Sequence, residues 1–390
     1  MTIDAAALAV HYSRFRVSER ILLTGHSHQA WPDVGYEGQQ RAWRDAADYA
    51  DDKWPHCLEQ AERVKEGFAR LVGDRTDRIA LGASTHELVT RWLSALPLRA
   101  RARIITTDRE FRSLRRQLTR LTEEGIEVVE TPAHPVDTLA ERLAAAVTDD
   151  VACVIASSVF FDTAEIVPGL HLVAAACEKV GAHFLVDAYH HLNIVPFDLT
   201  ALGLESAFVT GGGYKYCQLG EGNCFLRVPE GCRLRPVLTG WFAELADVDS
   251  PSGTAVGYAP GAGAFAGSTY DPTSHYRATA VFAFHQQQRL TPERLRAMSQ
   301  HQVGLLKRTF EQCDLAPRTA VVESMPDERR GGFLALRTPH ATVVATSLRQ
   351  ESVFVDARGD ILRVGPAPYL GDDQLRAGME AICRRLAALI

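Results

Sequence analysis

The chain has 390 residues, with 42 Lys and Arg against 48 Asp and Glu for a formal charge of −6, and is 46% hydrophobic and 23% charged. That composition suits a globular protein of about two domains, and its acidic balance argues against binding nucleic acid through overall charge. No apolar run approaches the roughly 18 residues of a bilayer span, and the opening Met1-Thr2-Ile3-Asp4 carries an early acid where a secretory leader would be basic and then apolar, so a cytoplasmic protein away from membranes is expected.

Residues 35 to 72 read as helical, interrupted at Trp54-Pro55, with apolar positions Cys57, Ala61, Val64, Phe68 and Leu71 at helical spacing and Gly73 as the stop. Ile79-Ala80-Leu81 precedes a helix through Leu88, Trp92 and Leu96. Arg103 to Thr106 reads as a strand, followed by a helix through Leu114, Leu118 and Leu121. Ile126 to Val129 is a further strand, then a helix from Val136 to Val147, a strand from Val151 to Ala156, a helix from Leu170 to Val180 and a strand from Ala182 to Val186. Strands alternating with helices predict a mostly parallel sheet covered on both faces. Residues 207 to 228 break the rhythm with glycines and two short apolar runs. The Gly-, Ala- and Pro-rich stretch from Gly253 to Gly267 reads as a long functional loop or a crossover between domains. Beyond Pro272 come a long helix (Ala278 to Arg289), a second through Leu305, strands at Gly332 to Arg337 and Ser352 to Asp356, and a last helix from Asp372 to Leu389, the pattern of a smaller α+β domain.

Two features carry chemistry. Asp187 ends the apolar strand His183 to Val186, and the carboxyl edge of a parallel sheet is where open α/β folds bind ligands; alone, such an Asp caps a turn just as readily. Further on, in Gly211-Gly212-Gly213-Tyr214-Lys215-Tyr216, three glycines let backbone approach a bulky ligand, and a lysine desolvated between tyrosines loses proton affinity and can form an imine with an aldehyde. The eight cysteines, at 57, 153, 177, 217, 224, 232, 313 and 383, are scattered without a CxxC pair, so neither a metal site nor structural disulfides are expected.

Together these segments resemble the class V aminotransferase superfamily of pyridoxal 5′-phosphate (PLP) enzymes, and within it the kynureninases. Asp187-Ala188-Tyr189-His190 is similar to the family's Asp-x-Ala-His, with Tyr189 in place of Ala, and Tyr214-Lys215-Tyr216 with Gly220-Glu221-Gly222 resembles its Tyr-Lys-Tyr-x-x-x-Gly-x-Gly stretch. The resemblance implies that Lys215 holds the cofactor as a Schiff base, that Asp187 pairs with the pyridine nitrogen and that Tyr214 binds the phosphate and carries protons. It places Ser84 and Thr85, in Ala83-Ser84-Thr85 at a helix start, on the cofactor phosphate, where backbone N–H groups suit an anion. It puts Phe111 over the ring, Thr163 near the 3′-oxygen, and His190, Trp241 (in Gly240-Trp241) and Thr269 (in Gly267-Ser268-Thr269) also at the cofactor. The Thr269 segment resembles, with one extra residue, the family's Gly-Thr that reaches the phosphate of a neighbouring subunit, so the resemblance implies a homodimer. Arg363, in Leu362-Arg363-Val364-Gly365, would grip a substrate α-carboxylate through its planar guanidinium. His26, in Gly25-His26-Ser27 where the family has Gly-Asn-Ser, and Trp241 would stand beside the substrate.

Some positions depart from that pattern. Leu114 stands where bacterial kynureninases carry an acid, Ser157 to Phe161 replaces His-x-Asn-Tyr, Asp162 precedes Thr163, and His191 is added beside His190. The expectation is therefore an α/β PLP-transferase fold with a mostly parallel sheet in the major domain (51–268), a smaller α+β C-terminal domain (269–390) and an N-terminal segment (1–50) packed on the latter. The expected activity is kynureninase-like cleavage at the β-carbon of an altered amino-acid substrate; β-elimination at a carbon–sulfur bond and transamination are the alternatives. A non-catalytic regulatory subunit on the same fold is disfavoured by retention of Lys215, Asp187 and Arg363 together.

Overall fold

The computed structural model describes residues 3–247 and 256–389. It begins with a short helix α1 (Ala5–Ala9), capped by the Asp4 carboxylate, and a two-residue strand β1 (Ile21–Leu22). Helix α2 (Val34–Tyr49) and helix α3 (Trp54–Val72) follow, separated by a 3-10 turn, with Pro55 in the first turn of α3, where its missing N–H costs no hydrogen bond. Gly73 ends α3 in the left-handed conformation that glycine adopts without strain.

The major sheet then assembles in chain order: β2 (Ile79–Gly82), α4 (Thr85–Ser94), β3 (Arg103–Thr107), α5 (Arg112–Thr122), β4 (Glu127–Thr131), α6 (Leu139–Ala145), β5 (Val151–Ser157), α7 (Leu170–Val180), β6 (His183–Asp187), β7 (Phe208–Gly212) and β8 (Cys224–Arg227). Its strand order is β2-β8-β7-β6-β5-β3-β4. β8 runs antiparallel to both neighbours while the other pairs are parallel, which accounts for the broken rhythm of residues 207–228. Every residue of β5 is buried, as expected of a strand covered on both faces. Val154 and Ala156 join the core beneath α3, α6 and α7, while Cys153 and Ile155 face the cluster under α4 and α5. The strand-to-helix return loops therefore gather at one edge of the sheet.

The stretch expected to be a loop from Gly253 begins outside the described residues; within them, Gly261–Phe265 forms a 3-10 turn that sends Phe265 into the core. Helix α8 (Thr273–Gln287) packs against α2 and α3, and α9 (Pro292–Gln312) leads into the smaller unit. There β9 (Val321–Val322), β10 (Leu334–Arg337), α10 (Ala341–Leu348), β11 (Val353–Phe354), β12 (Asp356–Arg358), β13 (Ile361–Val364) and α11 (Asp372–Ala387) follow. Four of the strands form an antiparallel sheet in the order β12-β13-β10-β9. β1 pairs in parallel with β11, Ile21 opposite Val353, and Leu8, Tyr12 and Leu23 join the core cluster of this unit. The cysteine expectation fails at one pair: Cys313 and Cys383, brought together where α9 packs on α11, are disulfide-bonded. Helix packing across 70 residues supplied a partner that no spacing rule could foresee. Among the described residues no helix is long and apolar enough to cross a membrane, and no metal-binding cluster occurs.

Candidate active site

The parallel strands β3, β5, β6 and β7 end at Thr107, Ser157, Asp187 and Gly212, and the loops leaving them enclose a cavity of about 340 Å³. Asp187 lies in register between Ser157 and Thr210. Its Oδ1 accepts a hydrogen bond from the Tyr189 backbone N–H at 2.9 Å. Burial raises the proton affinity of this carboxyl, against the pull of that N–H and of Lys215.

Lys215 follows the three glycines and is 6% exposed. The glycines are steric requirements: a Cβ on Gly213 would meet Leu219 at 2.6 Å, and one on Gly212 would meet both Cys224 Sγ and Tyr189 Oη at 2.5 Å. Lys215 Nζ lies 2.7 Å from His190 Nε2 and 4.2, 5.6 and 5.7 Å from the ring centres of Tyr189, Tyr214 and Phe111. Burial brings the ammonium down to about 7, opposed by Asp187 and assisted by Arg363. Burial, and then the charge of Lys215, holds His190 well below its ordinary value. The amine thus sits near its midpoint at neutral pH beside an imidazole that stays neutral.

Ser84 caps α4, its Oγ accepting from Glu87 N at 3.2 Å, and Ser84 and Thr85 both line the cavity. Phe111 occupies the N-cap of α5 and meets Phe161 edge-on at 5.5 Å. Burial pushes the Tyr214 phenol up to about 12, so it remains a neutral donor. One cavity therefore brings together an amine able to bond an aldehyde, an acid for a ring nitrogen, an aromatic face and a helix start for a phosphate. This donor set fits PLP, which Lys215, Asp187, Phe111, Ser84, Thr85 and Tyr214 would hold.

The other expected residues are placed differently. Thr163 is buried outside the cavity lining, its Oγ1 accepting from Glu165 N at 3.3 Å in its own turn. Trp241 is half exposed and donates through Nε1 to Thr269 Oγ1 at 3.3 Å. Thr269 lines a second, larger groove of about 1160 Å³ that meets the cavity at Ala83, His86 and Glu221. Arg363 and His26 lie behind the cavity wall, buried. Arg363 engages Asp356 Oδ1 through Nε at 2.7 Å and Nη2 at 2.5 Å, and donates from Nη1 to the Phe161 carbonyl at 2.5 Å. His26 stands 3.8 Å from the same carboxylate, and burial lowers it to about 3. His191 bonds Ser158 Oγ and the Pro196 carbonyl, and is structural. Arg109 pairs with Asp162 at 2.5 Å and Arg120 with Glu123 and Glu124, while Arg112, Arg115 and Arg116 are exposed along α5.

Sequence reasoning missed two acids. Glu110 is fully buried and receives Ser157 N, Ser157 Oγ and Thr107 Oγ1 at 3.0, 2.6 and 2.7 Å. Burial lifts its carboxyl to about 7 against these bonds, with Asp187 adding to the rise. Asp356 faces Arg363 across β12 and β13 and also meets Arg358 at 3.1 Å. Its signal was the spacing Asp356-x-Arg358 on a strand just before Arg363; Glu110 had none beyond its place before Phe111.

Residues 295–382 match the family model of the kynureninase C-terminal domain. The chain is 21% identical to the uncharacterized aminotransferase YcbU of Bacillus subtilis (strain 168), over 86% of this chain and 87% of that protein. It is 24% identical to the kynureninase of Bacillus cereus (strain ATCC 10987 / NRS 248), over 76% and 71%. Among solved structures, the cystine C–S lyase C-DES superposes with a TM-score of 0.81 at 16% identity, covering 94% of this chain and 98% of that one. The cysteine desulfurase CsdA of Escherichia coli gives a TM-score of 0.80 at 16% identity, covering 100% of both chains. The fold, the cavity, the family-model match and these relatives together support a place in the class V aminotransferase-like superfamily of PLP-dependent enzymes.

Proposed function

We propose that the enzyme breaks a bond at the β-carbon of an α-amino acid, and that kynurenine itself is a poor substrate. The observation that carries amino-acid chemistry is Lys215, a buried amine set against His190 and the rings of Tyr189, Tyr214 and Phe111, where it could take up and return the substrate α-proton; the β-carbon step rests on the kynureninase likeness. PLP, when bound, supplies an electron-withdrawing ring that stabilises negative charge at the α-carbon. Asp187 would keep that ring protonated. Arg363, buried behind the wall at Phe161, would receive the α-carboxylate only if that wall gives way on binding; Asp356 and Phe161 O take three of its five N–H groups, leaving one each on Nη1 and Nη2. The kynureninase C-terminal match and the kynureninase relatives support β-carbon chemistry, and the aminotransferase relative keeps amino transfer as the competing reading.

The second part rests on the cavity wall. Val159 and Phe161 line it, within the segment that the resemblance sets against a polar His-x-Asn-Tyr, together with Ser157; Leu114, at the position of the kynureninases' acid, lies outside the lining. Of the cysteines, Cys224 alone lines the cavity, and burial raises its thiol to about 12, so the cavity offers no reactive thiolate as acceptor for sulfur. The groove that holds Thr269 adjoins the cavity and supports a homodimer in which a second copy completes the site; sedimentation of a fully active monomer would refute it. The decisive experiment incubates holoenzyme with a panel of amino acids, including kynurenine and cystine, following the cofactor spectrum and identifying products by mass. A β-cleavage product from a panel member with little anthranilate from kynurenine is expected. Efficient anthranilate release would make the chain a kynureninase, and amino transfer without cleavage would reject β-carbon chemistry.

A further inference from the structure

Tyr189 stands where the resemblance places an alanine, and the structure shows a built position for the larger side chain. The residue is 7% exposed and lines the cavity. Its ring runs along the carboxyl edge of the sheet, under Lys215 Nζ at 4.2 Å and tilted against Tyr214 at 5.0 Å. Its hydroxyl ends 3.8 Å from Cys224 Sγ, in the space that Gly212 leaves by lacking a Cβ. A side chain at position 212 would meet the Tyr189 hydroxyl, so glycine there leaves the room that the tyrosine fills.

We propose that Tyr189 is a second aromatic platform for the cofactor, so that the ring bound by Lys215 and Asp187 lies between Phe111 and Tyr189. Lys215 Nζ is within 6 Å of both ring centres and Asp187 is two residues from Tyr189, so a planar heterocycle joined to the lysine and paired with the acid would lie within reach of both aromatic rings. An electron-poor pyridinium gains from stacking on an electron-rich phenol beyond the area covered. Tyr189 is a positioning residue in this reading: it fixes the ring plane, excludes water from one face and leaves the chemistry to Lys215. The proposal rests on Lys215 being the site of cofactor attachment.

The test strips the purified enzyme of PLP, retitrates it and records affinity and the absorption maximum of the bound chromophore for Tyr189→Phe and Tyr189→Leu. Tyr189→Phe should match the wild type in both readouts. Tyr189→Leu should bind about 3- to 10-fold more weakly and shift the absorption maximum. If the Leu variant does not fold, Tyr189→Met keeps the bulk without the π-face and should behave as Leu is expected to. Unchanged affinity and spectrum without the aromatic ring would overturn the proposal, and so would tighter binding, which would mean that the phenol obstructs the ring. Equal loss in the Phe variant would assign the effect to the hydroxyl and also reject it. Borohydride reduction and peptide mapping accompany the titration: absence of label on Lys215 would reject the attachment site itself, whereas label there with an indifferent Tyr189 rejects the platform alone.

Discussion

The depressed proton affinity of Lys215 has a direct kinetic consequence. An exposed lysine, with a pKa of about 10.4, is only about 0.4% neutral at pH 8. With its midpoint brought to about 7 by burial, Lys215 is about nine-tenths neutral there. Attack on an aldehyde needs the free amine, so capture of PLP by the apo-enzyme should accelerate up to about pH 7 and then level off. The assay adds PLP to apo-enzyme between pH 5.5 and 9.5, quenches with borohydride at intervals and measures pyridoxyl-Lys215 by peptide mass. The same shift acts on stability. Between the folded and unfolded pKa values the unfolded chain binds the extra proton, so Lys215 costs stability below about pH 7, and the cost fades as pH rises toward 10.4. A gap of about three units sets a ceiling on the order of 4 kcal/mol, which apo Lys215→Met should recover in part at pH 6 and not at pH 10. A capture rate still climbing tenfold per pH unit above pH 9 would show Lys215 to be an ordinary amine and sink the argument.

Three further outcomes are expected. Asp187→Asn should retain PLP but lose roughly 100-fold or more in turnover, as when one electrostatic contact to a reacting group is removed; near-normal turnover would mean that another group holds the ring nitrogen. Glu110→Gln mimics the protonated acid. The wild-type carboxyl, lifted by burial to about 7, is best tolerated below about pH 4.3 and loses stability as pH rises through 7, a drop on the order of 3 kcal/mol that denaturant titrations should find missing in the variant. Burial opposes ionisation of Asp356, yet His26 and Arg363 hold its carboxyl well below the usual range, so its contribution is present above about pH 3.9 and lost as pH falls through the folded value. Asp356→Asn should therefore cost about 1.5–3 kcal/mol at pH 7 and less below pH 4, and an equal cost at both pH values would contradict the pairing.

Much of this fold could be read in advance because its cause is local. Apolar periodicity marked α7 to the residue and β3, β5 and β6 to within one or two, and Gly73 and Pro55 punctuated α3 as their backbone chemistry requires. Asp187 and Lys215 were legible because a strand end and a glycine run each leave a mark in a short window. The partners of Arg363 were not. Asp356 meets it only through the register of β12 against β13, and Phe161 reaches it from 202 residues away. Helix α10 hides in Ala341-Thr342-Val343-Val344, whose β-branched residues favour a strand locally and are overruled by packing. Thr163 was placed at the cofactor by likeness to a family, and here it lies outside the cavity lining with its Oγ1 accepting from Glu165 N in its own turn.

The pairing of β1 with β11 fixes an order of events during synthesis. Ile21 must wait for Val353, and Thr24 for Gly365, before either can bond. The sheet that carries Asp187 and Lys215 closes with β8 at Arg227, so the half that would hold the cofactor can assemble while the half that would grip a carboxylate is still being made. A ribosome-bound chain stalled beyond residue 300 would then have a cofactor half without a carboxylate clamp, and residues 21–25 would remain an open strand edge, a place for a chaperone to bind until the end of the chain arrives.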